Sequence, residues 1–342
     1  MDCEISIRQS SFVNRQSQAL SVLSDAVQVR ELVSVLRALE DEGAIPLVFK
    51  GAALAHTHYA ESWRRPHADA DVLIAPESRE RVFAVLRRLG YEHLTFISGD
   101  LVMYQAPFER VDHLGIDHLL DIHWRIANPQ VVSQVLTHDE LVARSVMVRV
   151  LALSERWSRG TRDEGESNGQ DYAMRVPSAV DSLLIACVHR AVHHPDVEQR
   201  YWIEDIHRLA SGFGRSAWET FTARAVDRSV RTICFQGLKR AEALFQTAVP
   251  PEVLTALSAG PSEASAVFVR NGLRPVDRLV ADARALGLVG SARLLREHVL
   301  PPAHYMQAKY GVTSRAWLPA FYVSRVLNGI RKWWRPYVSA AR

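Results

Sequence analysis

The sequence predicts an α+β protein in which a mixed-sheet domain precedes a helical domain. Strand-like and helix-like patterns alternate up to about residue 140, whereas the apolar spacing is helical almost throughout from residue 178 onward. A chain of 342 residues is also too long for one small core, which favours about two domains. We therefore expect a core with N-terminal helices at 1–140, a β-hairpin and linker at 141–177, and a helical domain at 178–342.

The N-terminal domain begins with helix, strand, helix and strand in that order. Apolar residues within 32–39 have the i, i+3, i+4, i+7 spacing of an amphipathic helix. A short apolar run at 45–50 predicts a buried strand, and Gly51 opens a helix of small residues. Residues 68–74 predict a second strand, after which Pro76 starts another amphipathic helix. The sheet is therefore expected to be short and backed by helices.

The rest of the chain completes the sheet and then becomes helical. Two further strands are predicted at 101–106 and 116–124, and a hairpin is predicted from 146–151 and 172–176. Between the hairpin strands, the polar and glycine-rich segment 158–171 is expected to form a disordered loop. The helical domain contains four predicted helices, at about 178–194, 199–212, 215–230 and 230–247, with several more before the end.

Composition and charge indicate an ordinary globular protein of the cytoplasm. The net charge of +3 and the pI of 8.8 neither demand nor exclude an anionic partner. The cysteines, Cys3, Cys187 and Cys234, lie far apart and have no metal or redox spacing, which fits a reducing compartment. The N-terminus resembles no signal peptide, and no apolar run approaches the roughly 18 residues of a transmembrane helix.

Acidic residues on two predicted strands have the arrangement of a metal site. Asp69 and Asp71 are separated by one residue, so strand alternation places both carboxylates on one face. Oxygen ligands at this spacing suit Mg²⁺, which leaves room for phosphate oxygens. Asp121 is flanked by apolar residues on a later strand, and a buried carboxylate of this kind needs a cation nearby. Asp117 competes with it but lies about 13 Å along the strand, and we prefer Asp121.

Several short motifs are weak one by one and specific in combination. In chain order they are Lys50-Gly51-Ala52-Ala53-Leu54, Tyr59, Arg65-Pro66-His67-Ala68-Asp69-Ala70-Asp71-Val72-Leu73-Ile74, Leu120-Asp121-Ile122-His123-Trp124, Cys187-Val188-His189, Trp202-Ile203-Glu204-Asp205-Ile206 and the region 310–327. Together they resemble the uncharacterised nucleotidyltransferase family of the polymerase-β-like superfamily over about residues 30–330. The resemblance implies a nucleotidyltransferase fold, a short mixed sheet backed by helices with a helical domain closing the cleft.

The resemblance also implies a reaction. Two Mg²⁺ ions held by Asp69, Asp71 and Asp121 would bind a nucleoside triphosphate, expected to be ATP, and an acceptor hydroxyl would attack the α-phosphorus as pyrophosphate leaves. Asp121 would hold the catalytic ion and assist deprotonation of the acceptor. The acceptor is a small molecule, a peptide or protein side chain, or an RNA end. The modest basic balance mildly disfavours a long nucleic acid.

Further residues are expected to bind the nucleotide. Gly51 and Ala52 would let the backbone approach the triphosphate at the start of a helix, and Lys50 or Arg65 would neutralise phosphate charge. The usual glycine-serine pair of the superfamily is Gly51-Ala52 here, so no hydroxyl is available at that position. His123, two residues after Asp121 on the same strand face, is either a nucleotide-site residue or a hydrogen-bonded structural histidine.

Other functions remain as alternatives. Within the superfamily, the alternative is a toxin-like or antibiotic-modifying transferase. From a different class, the alternative is a non-catalytic nucleotide-binding or scaffold protein that keeps the fold. The presence of all three carboxylates argues against the second alternative, and the missing serine is the one feature in its favour.

A group of histidines in the helical domain invites a zinc interpretation. His189, His193, His194 and His207 lie near Asp205 in the sequence, and the first two share a helix face. No His-Glu-x-x-His pattern accompanies them, so a zinc site is disfavoured. We expect instead a polar interdomain surface or a wall of the substrate cleft.

The C-terminal tail is strongly basic. Residues 311–342 include six basic residues and no acidic one, and 331–335 combines three of them with two tryptophans. One interpretation is a weak contact with an anionic surface, either a membrane or a nucleic acid. The other, which a single short patch favours, is a terminal helix that packs its tryptophans on the domain and leaves its charges in water.

Overall fold

A computed structural model describes residues 2–94, 99–153, 169–193 and 199–335 of the chain. It confirms the predicted α+β class, with a short mixed sheet near the N-terminus and helices from residue 179 to residue 333. The division at 1–140, 141–177 and 178–342 stays a prediction. None of the helices within the described residues combines the length and the apolar character needed to cross a membrane.

Five strands form the main sheet, in the order β1-β2-β5-β4-β3. Only the β2–β5 pair is parallel, and the other three pairs are antiparallel. Their bounds are Leu47–Phe49 for β1, Ala70–Leu73 for β2, Glu92–His93 for β3, Gln105–Val111 for β4 and Asp117–His123 for β5. The predicted strands at 45–50, 68–74 and 116–124 are confirmed with shorter bounds.

One strand lies further along the chain than predicted. Residues 101–106 were expected to be extended, but the strand is β4 (Gln105–Val111), and residues 101–104 precede it as a turn and coil. Ala106 and Phe108 are buried on one face of β4, whereas the alternating residues Gln105, Pro107 and Glu109 are half-buried. This alternation continues through Pro107, which is usually taken as the end of a strand. The two-residue strand β3 was not predicted.

Helices cover one face of the sheet. These helices are α1 (Asp2–Asp41) and α3 (Arg79–Arg88). A third helix, α2 (Lys50–Thr57), begins directly after β1. The apolar residues of the predicted stripe within 32–39 are buried, as their spacing requires. They share a core with α3 and with the buried side chains of the sheet. A 3₁₀ turn, Pro76–Ser78, starts α3, and Gly90 follows its end with a φ of 84°.

The predicted hairpin is present and packs on the same core. Strands β6 (Val146–Leu153) and β7 (Gly169–Val176) pair antiparallel, and their inward residues Val150 and Met174 join the cluster formed by α1 and the sheet. The loop predicted at 158–171 falls mostly outside the described residues. Its last three residues, however, belong to β7, because the register pairs Leu153 with Gly169.

The C-terminal half is helical, and the four helices predicted there are confirmed. Before it, α4 (Gln130–Ser133) and α5 (His138–Ala143) connect β5 to β6. The later helices are α6 (Ala179–Val192), α7 (Arg200–Ser211), α8 (Arg215–Asp227), α9 (Arg231–Phe245), α10 (Pro251–Ser258), α11 (Pro275–Val299), α12 (Ala303–Tyr310) and α13 (Leu318–Trp333). Leu47, Phe49 and Leu73 of the sheet lie in one buried cluster with residues of α6 to α10. The sheet and these helices are therefore held together by a continuous core.

Candidate active site

The parallel pairing of β2 and β5 places two acidic side chains next to each other. Asp71 pairs with Asp121 in the register, and Leu73 pairs with His123. Because Asp121 and His123 are two residues apart, their side chains share a face of β5. Both carboxylates are buried, each with 8% of its surface exposed, and His123 is fully buried. The strand register thus concentrates negative charge at one point of the sheet.

Asp71, Asp121 and His123 together form a group able to hold a metal ion, with one ligand atom from each within 4.8 Å of the others. His123 Nε2 lies 2.9 Å from Asp71 Oδ1 and 3.3 Å from Asp121 Oδ2. Within the described ranges, neither Asp121 Oδ1 nor His123 Nδ1 has a hydrogen-bond partner, although both atoms are buried. An unpaired buried carboxylate oxygen is costly, and a cation would satisfy it.

Lys50 supplies the positive charge that the cluster contains. It stands at the junction of β1 and α2 with a φ of 54°, a left-handed conformation that is uncommon outside glycine. Its Nζ lies 2.7 Å from Asp71 Oδ1 and 3.3 Å from His123 Nε2. Burial alone would raise the pKa of Asp71, but Lys50 and the hydrogen bond from His123 hold that pKa well below its usual range. Asp71 is therefore ionised.

Asp69 lies beside this group but is not one of its members. It immediately precedes β2 and lines the same cavity as Asp71 and Asp121. Its side chain reaches solvent, yet the surrounding cleft desolvates the carboxylate. This desolvation, followed by repulsion from Asp71 and Asp121, raises the pKa of Asp69 to about 6. Asp117, the rejected alternative to Asp121, is exposed at the far end of β5.

The cavity has a volume of about 560 Å³ and lies between the sheet and the helices. That volume is typical of small-molecule sites. The sheet side contributes Lys50, Gly51, Arg65, Asp69, Asp71, Gln105 and Asp121, and the helical side contributes Ser182, Ile185, His189, His193, Tyr201, Trp202 and Asp205.

Arg65 lines the cavity but is engaged in a buried ion pair. Its Nε and Nη2 donate to the two carboxylate oxygens of Asp205 at 2.9 and 2.8 Å. Tyr59 donates its hydroxyl to the same carboxylate at 2.8 Å, and the guanidinium of Arg65 stands 4.5 Å from the ring centre of Tyr201. This network joins the loop before β2 to α7. The predicted role of Arg65 at the phosphates would require it to leave Asp205.

Gly51 and Ala52 face different environments. A Cβ built on Gly51 would lie 3.4 Å from Nη2 of Arg65, so the glycine allows the helix start to approach the guanidinium closely. Ala52 is buried in the core between α1 and the sheet and is not among the cavity residues. A serine at position 52 would direct its hydroxyl toward that core. The missing hydroxyl therefore says little about triphosphate binding.

Gln105 and some residues of the helical wall were not predicted as part of the site, whereas His189 and His193 were expected at a polar interdomain surface or a wall of the cleft. Gln105 donates its amide to Asp121 Oδ2 at 2.6 Å from β4, where the register places it opposite His123, and no local pattern in the sequence specifies that pairing. The rings of His189 and His193 stack with their centres 4.5 Å apart on the helical wall. Burial, with a smaller contribution from Lys50, lowers the pKa of His189 to about 3, so this imidazole is neutral.

The histidines considered for zinc are not brought together as a three-ligand group among the described residues. The three-ligand group found there contains none of the four histidines considered for zinc. His207 hydrogen-bonds to Thr247, and His194 lies outside the described residues. His189 and His193 line the cavity instead, which agrees with the expected wall of a cleft.

The fold and site define an α+β protein whose buried strand carboxylates face a ligand-sized cleft. The sequence profile of a family described as "Uncharacterised nucleotidyltransferase" matches residues 14–246, which is more than half of the chain. The chain therefore belongs to the uncharacterised nucleotidyltransferase family and is a transferase of that class. No curated protein matches the chain.

Two solved structures show a distant likeness. The antibiotic-resistance factor ANT(2'')-Ia, known from a solution structure, is 18% identical in sequence. That match covers 64% of this chain and 98% of the other, with a TM-score of 0.37. An antigenic nucleotidyltransferase-like protein from Paracoccidioides brasiliensis is 12% identical, with coverages of 70% and 96% and a TM-score of 0.37. Both are too distant to indicate a substrate.

Proposed function

We propose that this chain transfers a nucleoside monophosphate from a nucleoside triphosphate, with ATP as the expected donor, to an acceptor hydroxyl in a Mg²⁺-dependent reaction. The observation that carries the proposal is the pairing of Asp71 with Asp121 in the β2–β5 register, beside a cavity of about 560 Å³. Family membership supports nucleotidyl transfer as the reaction class.

The donor set fits divalent cations. Asp71 and Asp121 would hold Mg²⁺, with Asp69 completing the set from the cavity, and the unpaired Asp121 Oδ1 is the atom most in need of a cation. When bound, the ions neutralise phosphate charge and act as Lewis acids on the phosphoryl oxygens. Mg²⁺ prefers oxygen to nitrogen ligands, so His123 is assigned the role of orienting Asp71 and Asp121 through its Nε2 contacts.

The protein residues then have separate tasks. Asp121 would accept the proton of the acceptor hydroxyl while the new oxygen–phosphorus bond forms at the α-phosphorus. The bond from that phosphorus to the bridging oxygen breaks, and pyrophosphate leaves. The ammonium of Lys50 would move from Asp71 to the phosphate oxygens of the incoming triphosphate. The backbone at Gly51, at the start of α2, would approach the triphosphate.

The acceptor is proposed to be a small molecule or a peptide side chain rather than a long nucleic acid. The cavity has small-molecule dimensions, and its helical wall carries rings of His189, Tyr201 and Trp202. We further propose that the reaction takes place in the cytoplasm, since Cys187 and Cys234 are buried free thiols.

Isothermal titration with a non-hydrolysable ATP analogue tests the proposal. The wild type, Asp71→Asn/Asp121→Asn and Asp117→Asn are each titrated with and without Mg²⁺. Asp117→Asn is the matched control, because it removes a carboxylate from the same strand at an exposed position away from the cavity. We expect magnesium-dependent binding in the wild type and the control and its loss in the double variant. Binding that persists in the double variant would contradict the assignment, and binding without labelled-nucleotide turnover on any acceptor would favour the non-catalytic alternative.

A further inference from the structure

The C-terminal helix α13 exposes an apolar face. From Leu318 to Leu327, every exposed residue is apolar, and the spacing places these residues on one side of the helix. Ala316 before the helix and Trp334 after it continue the same line. We call this set the apolar stripe, and it consists of Ala316, Pro319, Ala320, Val323, Val326, Leu327 and Trp334.

The stripe is open to solvent rather than loosely covered. Val323 is 60% exposed, Leu327 is 61% exposed and Trp334 is 60% exposed. Trp317 at the other end is also exposed.

Both tryptophans of the segment 331–335 also contact the protein: the Trp333 ring lies edge-on to His298 with centres 6.4 Å apart, and the guanidinium of Arg274 lies 5.4 Å from the ring centre of Trp334. Packing of the tail tryptophans on the domain therefore coexists with an exposed outer face. Contiguous exposed apolar side chains of this kind mark sites of interaction with another protein or with a membrane.

The opposite side of α13 attaches it to the rest of the protein. Leu318 is buried, and the ring of Phe321 stacks on Tyr310 with centres 4.5 Å apart. Tyr322 donates its hydroxyl to the carbonyl of Pro301 at 2.7 Å, and Arg325 donates to the carbonyl of His298 at 2.9 Å. The outward direction of the stripe is thus fixed by contacts on the other face.

Positive charge surrounds the stripe. The segment 311–342 contains six basic residues and no acidic one. Of these, Arg315 is exposed near the start of the stripe, and Lys332 and Arg335 are exposed near its end. An apolar helix face with basic residues and tryptophans at its ends matches the chemistry of an anionic lipid surface. A protein partner would have to supply both an apolar groove and acidic residues.

We propose that α13 docks this enzyme on the surface of a membrane containing anionic lipids, with the apolar stripe at the boundary of headgroups and acyl chains. The helix has 16 residues and lies on the membrane without spanning it. The matched family region ends at residue 246, so α13 lies outside it. Docking concerns where the enzyme acts and does not depend on the proposed reaction.

Vesicle co-sedimentation tests the proposal with matched single variants of the full chain. The vesicles contain phosphatidylcholine alone or with phosphatidylserine added. Leu327→Asp interrupts the stripe, and its control is Leu151→Asp, since Leu151 on β6 is 66% exposed. Lys332→Glu reverses a flanking charge, and its control is Arg149→Glu, whose side chain is 85% exposed on the same strand β6.

We expect the wild type and both controls to sediment with phosphatidylserine vesicles far more than with phosphatidylcholine alone, and less at high salt. Lys332→Glu should weaken binding about fivefold or more, because each basic residue near an anionic surface contributes roughly that factor. Leu327→Asp should weaken it about tenfold or more, because an interfacial leucine is replaced by a charge. All four positions are exposed, so unchanged thermal unfolding serves as the check on folding.

Three results would overturn the proposal. The first is a wild type that fails to sediment with phosphatidylserine vesicles or binds both vesicle types equally. The second is a loss of binding in the β6 controls as large as in the α13 variants. The third is a dimer of the wild type in solution that Leu327→Asp converts to a monomer, because the stripe would then be covered by a second copy of the chain.

Discussion

Replacing Asp205 by alanine should destabilise the protein strongly, because it leaves a buried arginine without its partner. The side chains of Arg65 and Asp205 are each 6% exposed and are joined by two hydrogen bonds. Tyr59 donates a third hydrogen bond to the same carboxylate. The pair connects the loop that leads into β2 with α7, so its loss affects the relative placement of the two cavity walls.

The expected cost follows from burial. Removing one partner of a buried ion pair costs about 3–5 kcal/mol, whereas removing an exposed pair costs about 1 kcal/mol or less. The sequence provides a matched control in Arg64 and Glu61, an ion pair next to Arg65 whose side chains are 58% and 47% exposed. Because most domains are stable by only about 5–15 kcal/mol, Asp205→Ala should move the unfolding transition visibly and Glu61→Ala should not.

Urea unfolding followed by tryptophan fluorescence measures the two costs. A double-mutant cycle with Arg65→Met and Asp205→Leu separates the pair from its surroundings, since replacing both partners by apolar residues removes the uncompensated charge. We expect the double variant to be more stable than Asp205→Ala. If Asp205→Ala costs no more than Glu61→Ala, the pair does not hold the cavity walls together and our reasoning is wrong.

Three further predictions concern the residues next to the cluster of Asp71, Asp121 and His123. The pKa of Asp69, raised from 3.8 to about 6, means that ionising this group destabilises the fold as the pH rises through that interval. In urea unfolding with EDTA present, Asp69→Asn should therefore raise the free energy of unfolding near neutral pH and leave it unchanged below pH 3.8. An equal effect at both pH values would contradict the raised pKa of Asp69. Lys50→Met should increase the affinity of the nucleotide-free protein for Mn²⁺ about tenfold, because the ammonium competes with the metal for Asp71, and should weaken binding of the ATP analogue. Separate titrations with Mn²⁺ and with the analogue measure the two affinities, and a loss of both would argue against the competition. Gln105→Leu should lower Mg²⁺-dependent analogue binding less than Asp121→Asn does, because it removes only the amide bound to Asp121 Oδ2; equal losses would show that Gln105 itself contacts the ligand.

The sequence predicted the carboxylates but not what surrounds them. Period-2 alternation predicts a shared face for neighbouring strand residues, and this local rule placed Asp121 and His123 together. The pairing of Asp71 with Asp121 depends on the register between two strands about 50 residues apart in the chain, which no local pattern specifies. Similarly, the contact of Arg65 with Asp205 spans 140 residues. Long-range side-chain partners of this kind follow from packing, so the sequence suggested a phosphate role for an arginine that is already paired.

The helical pattern of the tail had the same limitation. The sequence predicts either a terminal helix that packs its tryptophans on the domain or a contact with an anionic surface, and it does not say which apolar residues are exposed. The structure buries Leu318 and half-buries Phe321, while Val323 and Leu327 stay exposed. Hydropathy alone does not distinguish an apolar face that packs on the protein from one that is left for another surface. The exposed fractions make that distinction, and they gave α13 its proposed role.

The nucleotide-free site is held together before any ligand arrives. The sheet and helices α6 to α10 share a core, and the Arg65–Asp205 pair bridges the cavity walls. The carboxylates of Asp71 and Asp121 would repel each other, but Lys50 pairs with Asp71 and His123 Nε2 contacts both carboxylates, which offsets part of that repulsion. Because a preorganised site gains affinity by avoiding reorganisation, the proposed function would need mainly one change on ligand binding, the movement of the Lys50 ammonium from Asp71 to the incoming phosphates. Lys50 is accordingly the side chain whose position should differ most between the free and the nucleotide-bound protein.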